Sequence, residues 1–450
     1  MTKTITTIAL VTMSGSALAQ SGLDIDRAYA AELRADANTR SSLLGSNAGS
    51  LDAEIFTQFR YTYNSRSERN ADLGAVAGPA TQYGDSDVTV GFSTPRTQVR
   101  LSGGVEGTDI TGHVSFDFGG AFDHGASGAA GGDGGATLRE AYAAWGMDDN
   151  WTFLFGQMRN PLFYESNVAP EHSQGVERSF TNSFFDVGFT QGIGLNYADD
   201  EWKFTVVLSD GVAAANTYYT SGVEADISLT GRLDWLVSGN WDQFNDFASW
   251  QGSNSGLRIG AGLHWSQRGD TNPTTVASLI PAGALAAAVD TETVTAWTID
   301  AQYEADGWGV FAAYNSTNVD VDYVPATGGG ADMTNDGFIL QGNMFFTEQF
   351  EAFARYDILF LDDDANLGII AASDEDKYST LTLGFNYYLV PESHAARFSM
   401  DLSIALDDSS GIDSYGFSDV PTTGVIGGAS GGTTVADDEF MIRGQFSLLF

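Results

Sequence analysis

Cysteine is absent from this 450-residue chain, and proline is scarce at 9 residues. Without cysteine no disulfide can staple the fold, so stability rests on backbone hydrogen bonding or a sizeable core. Basic residues are few as well: 20 Lys plus Arg stand against 59 Asp plus Glu, a formal charge of −39. That balance excludes nucleic acid as a partner, because phosphate must be neutralised by basic groups. It bears on solubility and surface fields, not on the fold. Long apolar runs are missing too, and none approaches the ~20 residues a membrane helix needs. What the chain does contain is glycine, at 53 residues, and aromatics, at 12%. Long sheets joined by permissive turns explain that composition, and helical bundles do not. Hydrophobic residues at 43% and charged residues at 18% exclude a disordered polyelectrolyte.

The N-terminus reads as an export signal over residues 1–19. Lys3 supplies a positive region, Ile5 to Met13 an apolar one, and Ala17-Leu18-Ala19 a cleavage site before Gln20. Residues 20–52 follow as a periplasmic helix and linker, since Ile25, Tyr29 and Leu33 fall at helical spacing among charges. An exported chain without a spanning helix is periplasmic, secreted, or a barrel in the outer membrane.

From residue 53 to 450 the dominant period is two. Ile227, Leu229, Leu233, Trp235 and Val237 share one face, while Asp226, Ser228, Thr230, Arg232 and Asp234 share the other. The same pattern sets Trp202, Phe204, Val206 and Leu208 against Lys203, Thr205 and Ser209, and Phe398, Met400, Leu402, Ile404 and Leu406 against Arg397, Ser399, Asp401 and Ser403. Segments of about ten alternating residues are the signature of membrane strands with a lipid face and a lumen face. A soluble sandwich alternates too, so the connections have to decide. They switch between short, as at Met147–Asn150 and Glu304–Gly307, and long, as at Arg159–Val187 and Asp407–Ala436. That is the barrel rule of tight periplasmic turns and longer outer loops. One expected short turn, Gly239 to about Asn254, is oversized. The pattern predicts strands near 53–63, 94–103, 108–119, 136–147, 150–158, 188–198, 200–210, 225–238, 255–268, 291–304, 307–318, 335–346, 349–361, 376–389, 394–406 and 437–450. The fold class is therefore all-β, a membrane-spanning antiparallel barrel of about 16 strands with both ends in the periplasm.

The last strand carries the most specific local signal. Phe440, Ile442, Gly444, Phe446, Leu448 and Phe450 occupy one face, and Phe450 ends the chain. A terminal aromatic on an alternating strand resembles the recognition signal of the bacterial barrel-assembly machinery, with Phe446, Leu448 and Phe450 as its core. An exposed apolar edge is an aggregation hazard in water, whereas barrel closure in outer-membrane lipid removes it.

Several stretches are similar to the phosphate-selective porin O/P family. They are Gln98-Val99-Arg100-Leu101-Ser102-Gly103, Leu138-Arg139-Glu140-Ala141-Tyr142, Gly156-Gln157-Met158-Arg159-Asn160-Pro161, and above all Glu177-Arg178-Ser179-Phe180-Thr181-Asn182-Ser183-Phe184-Phe185, which resembles the family's E-R-S-x-x-N-x-x-F. The resemblance spans most of 53–450 and implies a sixteen-stranded channel, usually a trimer, that passes anions along a basic pathway. Phosphate-specific members carry dense basic ladders, whereas this chain has 20 Lys plus Arg in all, and Phe189-Thr190-Gln191-Gly192 stands where an arginine is frequent.

Alternation assigns Arg60, Arg100, Lys203, Arg232, Arg258, Arg355, Arg397 and Arg443 to the lumen, together with Glu54, Asp117, Asp226, Asp234, Asp300, Glu351, Asp357, Asp401 and Glu439. These roughly cancel. They serve either as a cross-strand ionic network or as a transverse field that orients hydrated solutes. The acid excess sits in loops such as Asp362-Asp363-Asp364, Asp374-Glu375-Asp376 and Asp437-Asp438, where weak Ca²⁺ binding is conceivable. Arg159–Val187 is the candidate constriction loop, with Arg159, Glu165, Glu171, Glu177, Arg178 and Asn182 among its polar residues and Phe163, Tyr164, Phe180, Phe184 and Phe185 for packing.

Nothing in the pattern points to an enzyme, a metal or another cofactor. His113, His124, His172, His264 and His394 show no ligand spacing, no G-x-S-x-G elbow occurs, and Gly131-Gly132-Asp133-Gly134-Gly135 is a single copy of a calcium-type repeat unit. The expected function is passive diffusion of small hydrophilic solutes and ions through an outer-membrane porin. The alternatives are an anion- or phosphate-preferring channel, an outer-membrane enzyme, and a secreted β-protein.

Overall fold

The computed structural model describes residues 48–65, 88–118, 136–212, 214–222, 224–270, 289–323, 330–362, 377–407 and 440–450. The export signal, the helical spacing at 25–33, His124, Gly131–Gly135, Glu439 and the acid clusters beyond Asp362 lie outside the described residues.

Strands β1 (Ala48–Ser65), β2 (Val88–Ser93), β3 (Thr97–Val105), β4 (Ile110–Asp117), β5 (Thr137–Gly146), β6 (Trp151–Arg159), β7 (Phe189–Ala198), β8 (Trp202–Ser209) and β9 (Ile227–Ser238) form the first half of one antiparallel sheet. The second half is β10 (Gly256–Arg268), β11 (Val289–Ala305), β12 (Trp308–Tyr323), β13 (Gly330–Phe345), β14 (Phe350–Phe360), β15 (Lys377–Tyr388), β16 (Ala396–Ala405) and β17 (Phe440–Leu449). From β3 onward each strand pairs with the next, and β17 returns to β1 in a register from Phe56↔Leu449 to Ser65↔Phe440. The Phe450 backbone N–H donates to Ile55 at 3.0 Å, and the Ile55 N–H donates to Phe450 at 2.7 Å. The terminal residue is thus sewn into the closing seam.

β2 and β3 both pair with β1 and form a single stave interrupted at Thr94-Pro95-Arg96. Proline has no N–H to give to the ladder, which accounts for the break. The barrel therefore has 16 staves. Closure matters energetically, because each unpaired backbone group in hydrocarbon costs several kcal/mol.

Four boundaries depart from the sequence reading by five residues or more. β1 starts at Ala48, not at 53, so the end of the expected linker is strand. The second stave starts at Val88, not at 94, which shortens the loop after Asn64. β12 and β13 reach Tyr323 and Gly330, past the expected limits of 318 and 335. There Val319, Val321 and Met333 are buried while Asp320 and Asp322 lie outside. The apolar side has changed faces, so alternation scored against a lipid-facing pattern reads this stretch as loop.

The burial pattern is inverted relative to a soluble protein. Leu263 is 59% exposed, Ile299 57% and Phe155 51%, while Arg60, Arg258, Arg397 and Arg443 are among the largest fully buried side chains. Trp202 and Trp235, the residues a sandwich would bury, stack on the outer surface at 5.6 Å. Apolar outside and charged inside is the arrangement a bilayer requires of a barrel.

Candidate functional site

Between the end of β6 at Arg159 and the start of β7 at Phe189, the chain leaves the wall and folds into the bore. It forms a short helix α1 (Tyr164–Asn167), a 3₁₀ turn (Pro170–His172) and a second helix α2 (Phe180–Phe185). The E-R-S-x-x-N-x-x-F pattern is what holds this loop in shape. Ser179 caps α2 by accepting the Asn182 N–H at 2.9 Å, and its own N–H and hydroxyl donate to Glu165 at 2.7 and 2.6 Å. Such a cap contributes about 1 kcal/mol. Asn182 Oδ1 accepts from Ser166 at 3.0 Å, and Arg178 donates to the carbonyls of Val168 and Glu165 at 2.7 and 3.0 Å. Phe185 enters an apolar cluster with Leu162, Phe163, Leu359 and Tyr378.

The loop sits directly on the inner wall. A Cβ at Gly337 would lie 2.4 Å from Thr181, and one at Gly262 would lie 2.6 Å from the Leu162 carbonyl, so only glycine allows this approach. The Thr181 N–H donates to Asp357 at 2.9 Å, Gln174 donates to Glu351 at 2.7 Å, and the Val176 N–H donates to Asp401 at 3.2 Å. Glu171 and Glu177 continue these contacts around the wall to β1 and the β2–β3 stave. Glu177 binds Arg96 through two bonds of 2.8 and 2.7 Å and pairs with Arg60, while Glu171 meets Arg100 at 2.5 Å. Burial alone would push Glu171 up, but the hydrogen bonds and charge of Arg100 outweigh it and hold its carboxyl at about 2. Burial likewise opposes ionisation of Glu177, and Arg96 and Arg60 hold it well below the usual carboxylate range.

The arginines assigned by alternation do point inward, yet the loop covers most of them. Arg60, Arg258, Arg355, Arg397 and Arg443 are each 3% exposed or less, and Arg232 is 6% exposed. Arg232 and Arg258 share Asp234 and Asp300 at 2.6–2.9 Å, and the Tyr164 ring lies 3.5 Å beneath Arg258. Arg443 binds Asp401 at 2.8 Å. Arg355 donates to the carbonyls of Glu177 and Arg178, and Arg397 donates to that of Ser173. Asn182 is also enclosed, 2% exposed inside the loop. Arg100, Arg159, Glu177, Arg178 and Lys203 are half-buried. Phe446 and Leu448 lie on the outer face of β17, and Phe450 is exposed beyond its end.

Sequence reasoning missed Arg96, Arg139 and Arg268. Arg96 lies in the interruption between β2 and β3. Arg139 is skipped in the pairing of Ser115↔Glu140 with Phe116↔Leu138, a bulge that turns it inward beside Glu140, and Gln157 secures the Leu138 and Arg139 carbonyls there. Arg139 meets Asp117 at 3.1 Å, Arg159 meets Asp186 at 2.5 Å, and both guanidiniums lie over the Phe189 ring. Arg268 pairs with Glu292, a plain alternating position that the sequence reading left out. Beside Arg96, Arg139 and Arg159 stands Arg178, whose hydrogen bonds go to carbonyls. Burial first, then the positive charge of Arg159, Arg96 and Arg139, lowers its affinity for a proton. Arg96, Arg139 and Arg159 each pair with one carboxylate and Arg178 bonds carbonyls, so basic groups here outnumber the carboxylates paired with them.

Ser102, His113 and Glu140 lie in a row, with 2.9 Å from Ser102 Oγ to His113 Nδ1 and 3.4 Å from His113 Nε2 to Glu140. They sit on adjacent wall strands whose backbone N–H groups are committed to the ladder. Among the described residues the three side chains form a hydrogen-bonded row across β3, β4 and β5.

At the periplasmic end, His172 of the loop packs against His394 at 4.6 Å, and His394 Nε2 lies 3.0 Å from Asp246. Burial, then His394, lowers the His172 pKa, with Asp246 and Glu171 pulling the other way. A histidine favoured neutral in the fold loses its stabilising contribution as pH falls below the ordinary value near 6.5. Bilayer recordings are therefore expected to show noisier, pH-dependent current between about pH 7 and 5, and His172→Gln should flatten that dependence. Identical pH profiles for the two proteins would contradict it.

A closed barrel, apolar outside and charged inside, with a stapled loop across its bore, defines an outer-membrane channel. The phosphate-selective porin O and P family model matches residues 66–405, and the chain belongs to that family. It is a porin of the Gram-negative outer membrane. Solved structures give the same fold. An anion-selective porin from Comamonas acidovorans is 12% identical, with 89% of this chain and 99% of that one covered and a TM-score of 0.54. The outer membrane channel DcaP of Acinetobacter baumannii is 15% identical, with 89% and 97% covered and a TM-score of 0.51. Pseudomonas putida OprB is 11% identical, with 92% and 96% covered and a TM-score of 0.50. Among curated proteins, none matches the chain.

Proposed function

We propose that this porin is a general-diffusion channel for small hydrophilic solutes and ions, with a modest anion preference set at Arg178. The observation that carries the reading is the pairing of the lumen charges. Arg60, Arg96, Arg100, Arg232, Arg258, Arg268 and Arg443 all face carboxylates within hydrogen-bond distance. A guanidinium so neutralised contributes little net field to a passing ion. Dedicated phosphate capture needs uncompensated donors along the path, and the half-buried Arg178 is the strongest of that kind here. The chain's likeness to a porin described as anion-selective supports the same sign of preference.

In this reading the half-buried Arg100, Arg159, Glu177, Arg178 and Lys203 line the water path, while the covered arginines and Asn182 set its shape. The folded-in segment 160–188 is the constriction. Phe446, Leu448 and Phe450 serve the barrel-assembly machinery, the outer apolar band meets lipid, and the working form is a homotrimer. Reversal potentials in a potassium chloride gradient test the selectivity, and anion-to-cation permeability is expected to exceed unity by a small factor. Block of chloride current by micromolar phosphate would overturn the general-diffusion reading in favour of a phosphate channel.

A further inference from the structure

The oversized turn between β9 and β10 does not hang in the periplasm. Residues 240–254 fold up into the mouth of the barrel. Asn240 and Gln243 form a reciprocal capping box that starts a 3₁₀ segment, Trp241–Asn245, so the turn has built structure of its own. Phe244, Phe247, Ala248 and Ser249 are each 5% exposed or less, which a solvated turn would not achieve.

Its partners are inward-facing wall residues on many strands. The Trp241 indole donates to the Asp199 carbonyl at 2.9 Å in the β7–β8 turn. Gln302 on β11 donates to the Asp246 carbonyl at 2.7 Å, and Phe247 packs on Phe311 of β12 at 5.0 Å. Trp250 lies 4.9 Å from Phe345 on β13 and 4.7 Å from Tyr388 on β15, and Asp246 reaches His394 in the β15–β16 turn. The segment also touches the loop from beneath, since the Tyr164 hydroxyl donates to the Phe244 carbonyl at 2.5 Å and its ring packs on Phe247.

We propose that residues 240–254 form a second, size-limiting constriction at the periplasmic mouth of the channel, distinct from the loop at 160–188. A peptide segment with its side chains is about 10 Å across, so one lying inside the mouth against several strands removes a large share of the bore. The inference rests on the transport reading and is independent of the proposed ion preference.

Two variants test it. In the first, residues 240–254 are replaced by an Asn-Gly turn, and barrel folding is confirmed by heat-modifiable electrophoretic mobility. Single-channel conductance is expected to rise by about half or more, since the narrowest sections govern flow. Liposome swelling should extend to larger oligosaccharides, with the reversal potential unchanged. A folded variant with parental conductance and size cut-off overturns the proposal. The second variant keeps the full chain. Asn245 is exposed, and its backbone bonds the His172 ring. Since the protein has no cysteine, Asn245→Cys accepts a bulky maleimide at one position. Labelling is expected to reduce conductance markedly, and complete labelling without effect overturns the proposal. A parental protein that conducts nothing would instead defeat the channel reading itself.

Discussion

Glu177→Gln is expected to enlarge the open-channel current and to move selectivity toward anions. Glu177 is the carboxylate on which Arg60 on β1 and Arg96 between β2 and β3 converge, and its neighbours Val176 and Arg178 carry the loop's contacts to Asp401 and Arg355. Arg60 is fully enclosed. Removing one partner from a buried ion pair costs about 3–5 kcal/mol, because the remaining charge stays desolvated. The cheapest relief is for the loop to lift from that wall and admit water. Glutamine preserves shape but turns one of the two accepting oxygens into a donor, so a change in current reports the loss of the charge together with one Arg96 bond. The variant should conduct more, unfold at lower temperature and shift its reversal potential toward the chloride value. Parental conductance together with a parental melting temperature would show that the staple is dispensable.

Arg178→Glu is expected to abolish or reverse the anion preference with a smaller effect on stability. The wild-type guanidinium adds its charge to Arg96, Arg139 and Arg159 while bonding only carbonyls among the described residues. Replacing it by a carboxylate changes the local charge by two and supplies the neighbouring arginines with a new acceptor. At about 1 kcal/mol per unit charge at water-like screening, two units amount to about 2 kcal/mol, and the permeability ratio should fall by roughly thirtyfold. Arg178→Gln, which removes one charge, should give about half that free-energy change. The measurement is the reversal potential in a salt gradient. If all three proteins share one value, the anion preference lies elsewhere in the bore.

Much of the barrel could be read from the chain alone. Period-two stretches such as 227–238 and 396–405 placed their apolar residues outside and their arginines inside, as the structure has them. The reading failed where a strand broke its own pattern. Pro95 interrupts a stave, the bulge at Arg139 shifts the phase, and β12 near Val319 exchanges its faces above the lipid band. At the site, the E-R-S pattern was visible as a motif but not as a device. Its residues bond to one another across the loop and to Arg60, Arg96, Asp357 and Arg355 on distant strands. The oversized turn at 239–254 was noticed only for its length.

Composition and alternation by themselves determined that the chain closes a membrane barrel of about 16 strands, because side-chain period and hydrophobic side are properties of neighbouring residues. Which lumen charges stay exposed, which are neutralised, and where the bore narrows were decided only in three dimensions. Those outcomes depend on a loop that brings carboxylates and carbonyls onto arginines far away in sequence, and on a turn that packs its aromatics against inward-facing wall residues, and no local pattern records either meeting.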